Sequence, residues 1–133
     1  MFICAAGDIH GAMDRLYGDV LAFEASLGVR FDYVLLLHDA PAGVEFTWRR
    51  KDGSVRRRYR SEAEGLAQAV ARAHLRVCFF GHHHTRLDAE IAGVRCIGLN
   101  KVAMPGNLVA LDVPARGRGY EILGEWPRRE QLA

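Results

Sequence analysis

Three short apolar runs in this chain each lead into residues that bind metal ions. Phe2-Ile3-Cys4-Ala5-Ala6 precedes Gly7-Asp8-Ile9-His10-Gly11. Val34-Leu35-Leu36-Leu37 precedes His38-Asp39-Ala40-Pro41, and Val77-Cys78-Phe79-Phe80 precedes Gly81-His82-His83-His84. Apolar runs of this length, bounded by Gly or Pro, suit buried strands of a mainly parallel sheet. Such sheets gather ligands just past the carboxyl ends of their strands. The pattern therefore predicts that three remote segments deliver Asp8, His10, His38, His82 and His84 to one rim. Of the six histidines only His74 lies elsewhere. Mixed imidazole and carboxylate donors suit Zn, Mn, Fe, Ni or Co better than Ca or Mg. One or two such divalent ions are expected.

The remaining pattern predicts α/β organisation. Residues 2–6 read as a strand. Met13, Leu16, Val20, Leu21, Phe23 and Leu27 recur at helical spacing, so 12–27 reads as a helix that Gly28 ends. Residues 31–37 read as a second core strand. Between Phe46-Thr47-Trp48 and Val55–Tyr59, Asp52-Gly53 is a hairpin turn dipeptide. Ser61, with Glu64 three residues on, reads as a capping box. It opens a helix whose inner stripe is Leu66, Ala69, Val70 and Ala73. A third core strand spans 75–80. Shorter strands follow near 87–91, 94–98, 107–112 and 119–124. Met13, Met104, Phe79 and Phe80 read as core. The folded domain is expected to span 1–126, with 127–133 as a loose tail.

Each histidine segment has a plainer role to compete with. Asp8 can cap the helix after it, and His38 can be a satisfied core histidine. The closing segment is more specific. If Gly81–His84 is extended, alternate side chains share a face, so His82 and His84 converge and His83 points away.

Together these residues resemble the calcineurin-like metallophosphoesterase family, which combines a Gly-Asp-x-His opening motif, a late His before a Pro-containing turn and a Gly-His-x-His closing motif. The resemblance covers about residues 1–20 and 30–125. It implies a β-sandwich flanked by helices, in a shortened form, and a metal-dependent phosphoester hydrolase acting on mono- or diesters through metal-bound hydroxide. By the resemblance Asp8, His10 and His84 would hold one metal, and His38 and His82 a second. The implied substrate is a phosphorylated small molecule or nucleotide. The family's Gly-Asp-x-x-Asp motif, whose Asp bridges two metals, and its Gly-Asn-His-Glu motif are missing. Gly18-Asp19 falls inside the first helix, and Gly106-Asn107 follows the closing motif. The chain reads as a metallophosphoesterase without its central segment, with weak activity expected. The alternative is a non-catalytic metal- or phosphate-binding remnant.

Charge adds one further candidate. Eighteen Lys and Arg against sixteen Asp and Glu leave +2, too little to mark a nucleic-acid binder. Yet Arg49, Arg50, Lys51, Arg56, Arg57, Arg58 and Arg60 put seven cations into residues 49–60. Arg suits bidentate phosphate contacts, and Trp48 and Tyr59 suit base stacking. The hairpin is thus either a solvated arm or a nucleic-acid-binding module. The amino terminus has no signal-peptide pattern, and no apolar run nears the ~20 residues of a membrane span. Three unpaired cysteines argue against a disulfide framework. These features predict a cytoplasmic protein without a membrane partner.

Overall fold

The computed structural model describes residues 1–36, 38, 40–72, 75–116 and 119–128, and within its second helix the side chain of Leu66 is outside that description. The chain is mixed α/β, with most strands gathered into three sheets. β1 (Phe2–Ala6) sits between β2 (Tyr33–Leu36), to which it is parallel, and β8 (Leu108–Asp112), to which it is antiparallel. β9 (Glu121–Trp126) closes this first sheet beside β8. β3 (Glu45–Arg49) and β4 (Val55–Arg60) form a separate hairpin. β5 (Val77–Phe80), β7 (Val94–Gly98) and β6 (Leu87–Ile91) form the third sheet in that order.

Alternation of side chains along the strands explains how these pieces stack. One face of the first sheet offers Ala5, Val109 and Leu111, which pack against Ile97 and Leu99 next to Val77 and Phe79. Two sheets therefore meet face to face. The other face offers Cys4, Ala6, Leu108 and Ala110 to Leu16 and Phe23 of helix α1 (Met13–Leu27). On the outer side of the third sheet, Phe80 and Cys96 pack against Val44 and Phe46 of the hairpin region. The resulting order is helix, sheet, sheet, hairpin. The expected second flanking helix is not the outer layer there: α2 (Glu64–Arg72) buries Val70, while the hairpin supplies the cover.

Several local expectations agree with the structure and others do not. α1 ends at Gly28 in the left-handed conformation, φ 68°, with its N–H donated to Glu24 O at 2.9 Å. The Asp52-Gly53 turn forms, and Ser54 donates its N–H to Asp52 Oδ1 at 2.9 Å. The capping box at Ser61 does not form. Ser61 is buried, and its hydroxyl donates to Ala40 O at 2.7 Å, so it ties two loops together instead of starting α2. The sheets are not mainly parallel, because among the described residues only β1–β2 and β5–β7 pair that way. Leu37, Asp39, Ala73 and His74 lie outside the described residues.

The second apolar run is not a core strand. β2 is an edge, paired on one side only, and Tyr33 and Leu36 are 58% and 54% exposed. With α1 it borders an apolar groove of about 420 Å³ that Tyr17, Val20 and Val34 help to line. Met13 and Met104 are also exposed rather than core, unlike Phe80. Of the expected tail, Pro127 is buried and Arg128 exposed, and residues 129–133 lie outside the described ones.

All three cysteines are free. Burial, helped by nearby Glu24, pushes the Cys4 thiol up to about 12. Burial and the neighbouring Cys96 push Cys78 to about 11. Both are therefore neutral packing groups at physiological pH rather than thiolate ligands. Among the described residues, no helix is long and apolar enough to cross a membrane.

Candidate metal centre

Asp8 and His10 follow β1, and His84 follows β5, so the candidate centre draws on two of the sheets. The backbone at the end of β1 is tightly held. Gly7 donates its N–H to Asn107 O at 2.9 Å, and Val102 donates to Asp8 O at 2.8 Å. A Cβ on residue 7 would lie 2.0 Å from the carbonyl oxygen of Asn100. Glycine at position 7 thus lets the β7–β8 loop close over the strand end and fix Asp8.

Asp8 is not a helix cap. α1 begins after Ala12, and no side chain caps it. The carboxylate instead faces the histidines. His84 Nε2 lies 3.0 Å from Asp8 Oδ2 and 2.7 Å from His10 Nε2. His10 Nε2 lies 3.7 Å from the same carboxylate oxygen. These three donors form the one cluster among the described residues with metal-ligand proximity. A circle through them has a radius of about 1.9 Å, close to the roughly 2.0–2.2 Å bonds of a divalent transition metal to N and O. One small cation can therefore reach all three donors, with one side left open. The donor set fits a single ion of the expected class.

His38 and His82 form a second pair, with ring centroids 4.6 Å apart. Gly81 N–H donates to His38 O at 2.5 Å, which fixes the backbone of one partner against the segment carrying the other. Among the described residues no third donor joins them. Asp39, the nearest carboxylate in sequence, lies outside those residues. Asp19 is buried in α1 and held by Arg15 at 2.9 Å, away from this pair's role. Asn107 is buried at the start of β8, where its carbonyl receives Gly7. The structure thus brings Asp8, His10 and His84 together and sets His38 beside His82.

The closing segment reaches this arrangement by a different route from the one expected. It is not extended: His82 and His84 have φ of 61° and 51°, and His10 also has φ 51°. Left-handed backbone is uncommon for residues other than glycine and costs each about 1–2 kcal/mol. Strain of this kind collects at functional sites, and here it falls on three of the five candidate ligands. His83 does leave the cluster, because its ring packs on Phe46 at 4.1 Å and Tyr59 at 5.3 Å. The His82→Gly variant should relieve one strained position and make the metal-free chain more stable by up to about 1 kcal/mol. Urea unfolding would show it; a lower midpoint instead would mean that the contact with His38 outweighs the strain.

Two residues beyond His84, Arg86 crosses to the first sheet and donates from Nε to Glu125 Oε1 at 2.9 Å. Burial works against its charge, but Glu125 and then Asp88 more than offset that and hold the guanidinium pKa above its usual value. Pattern reading missed this clasp and the 100–107 loop. Neither carries a motif, and both act through pairings between distant strands.

No family model, curated protein or solved structure matches this chain.

Proposed function

We propose that the chain is a metal-dependent phosphoester hydrolase of a shortened metallophosphoesterase type. The observation that carries this reading is the convergence of Asp8, His10 and His84 from two strand ends within ligand distance of one another. Their order, Gly-Asp-x-His early and Gly-His-x-His late, is the order that the resemblance implies. Two sheets packed face to face with α1 outside also suit it. A divalent ion held there would polarise a phosphoryl oxygen and acidify a water.

The chain's own residues bind and orient. Asp8 would hold the ion through a carboxylate oxygen, and His10 and His84 through imidazole nitrogens. His82 borders the same hollow as His84, where its ring can donate a hydrogen bond to a phosphate oxygen. With no carboxylate joining His38 and His82 among the described residues, one ion is favoured over two. Two cations about 4 Å apart repel strongly without an anion between them.

The same gap favours a second reading, a metal- and phosphate-binding protein without turnover. Hydrolysis of bis(p-nitrophenyl) phosphate with Mn²⁺ separates the two. A hydrolase should show slow release, well under the ~10 s⁻¹ of a median enzyme, which Asp8→Ala and EDTA both abolish. If the wild type binds Mn²⁺ yet releases no more than Asp8→Ala, the non-catalytic reading stands.

A further inference from the structure

The hairpin divides its charges between two faces. β4 pairs regularly with β3 from Arg57 to Arg60, and the register shifts beyond Arg57, where Arg56 is the extra residue, so Arg57 and Tyr59 share one face and Arg58 and Arg60 the other. Across the ladder Arg57 pairs with Trp48, and Tyr59 pairs with Phe46. His83 packs on Phe46 and Tyr59, so this face is the one turned to the candidate centre. Between them lies an open hollow of about 500 Å³, lined by Trp48, Arg57, Tyr59, His82, His83 and His84. Arg57 Cζ stands 5.4 Å from the Trp48 ring centroid. Stacking uses the flat face of a guanidinium and leaves its N–H edges for an anion. Among the described residues no carboxylate pairs with Arg57.

We infer that this hollow is a subsite for the base of a mononucleotide, with Trp48 and Tyr59 as its aromatic wall and Arg57 as a contact to the phosphate. The inference rests on the phosphoester reading of the adjoining Asp8–His10–His84 cluster and names its substrate class. The volume suits one small ligand. Two half-buried aromatic rings facing an open, polar hollow offer stacking without base-specific hydrogen bonds, so the base preference should be broad. A single inward cation suits one phosphate. The outward arginines face away from the centre and take no part.

The test uses the full chain with saturating Mn²⁺ and compares binding of AMP, ribose 5-phosphate and inorganic phosphate by calorimetry. A stacked base is worth about 1–3 kcal/mol, so AMP should bind about 5- to 150-fold more tightly than ribose 5-phosphate. Trp48→Leu and Tyr59→Leu should remove that preference and leave ribose 5-phosphate binding in place. Arg57→Gln should weaken both ligands, whereas Arg58→Gln should weaken neither. Equal binding of AMP and ribose 5-phosphate by the wild type overturns the subsite and leaves the phosphoester reading intact; it needs no variant to fold. Failure of all three ligands to bind removes the phosphoester reading and the subsite with it. Tight binding of an oligonucleotide that depends on Arg58 and Arg60 overturns the subsite in favour of a nucleic-acid interface on the outer face.

Discussion

Gly7→Ala should cost the chain roughly 3 kcal/mol or more and remove its metal binding. The added methyl would stand 2.0 Å from a backbone carbonyl oxygen, not from the movable end of a side chain. Relief requires the β7–β8 loop to leave the end of β1, which breaks the hydrogen bonds of Gly7 to Asn107 and of Val102 to Asp8. Overpacking ordinarily costs about 1–3 kcal/mol, and here lost backbone pairing adds to it. Gly18→Ala is the matched control. It lies within α1 with nothing near its missing Cβ, and should stabilise the chain by about 0.5–1 kcal/mol. Chemical unfolding of both variants checks the pair. A Gly7→Ala chain as stable as wild type would mean that the loop does not lock the strand end.

Loading the candidate centre should be the other large effect. One tight transition-metal ion per chain is expected, since only Asp8, His10 and His84 converge as three donors among the described residues. An ion at a hundred times its Kd adds about 2.7 kcal/mol, which for a chain of this size raises Tm by roughly 10 °C. His84→Ala should abolish both the bound ion and the shift. His83→Ala should keep both, because His83 faces Phe46 and not the cluster. Elemental analysis beside a melting curve reads both quantities. Equal loss in the two variants would show that the closing segment acts as a whole rather than through one ring.

Much of this organisation is legible in the residue order, for identifiable reasons. β1, α1, the Asp52-Gly53 hairpin and β6–β8 follow from apolar period and turn chemistry, which are local. Asp8, His10 and His84 stand out because polar metal ligands directly after apolar runs are unusual. What the pattern hides depends on neighbours. Val34-Leu35-Leu36 has the composition of a central strand, yet only topology makes it an edge. Ser61 has the spacing of a cap, but burial beside Ala40 gives its hydroxyl a stronger claim. The histidines separate through left-handed backbone rather than strand alternation, and sequence alone gives no sign of φ at His82 or His84. The division of the hairpin's cations was within reach. Counting alternate residues along Arg57–Arg60 sets Arg57 with Tyr59 and apart from Arg58 and Arg60, whereas the register shift at Arg56 has no sign in the residue order.

The donors of the candidate centre belong to sheets that share a core but no ladder. An ion there is a rivet through two plates. Sliding one sheet past the other would change the bite of Asp8 and His10 on one side against His84 on the other, so metal affinity and interlayer alignment become one mechanical variable. The Arg86–Glu125 clasp spans the same seam and resists the same slip. By reciprocity, whatever tightens the grip on the ion also stiffens the sandwich. A substitution deep between the plates, touching no ligand, would then be felt as a change in how firmly the metal is held.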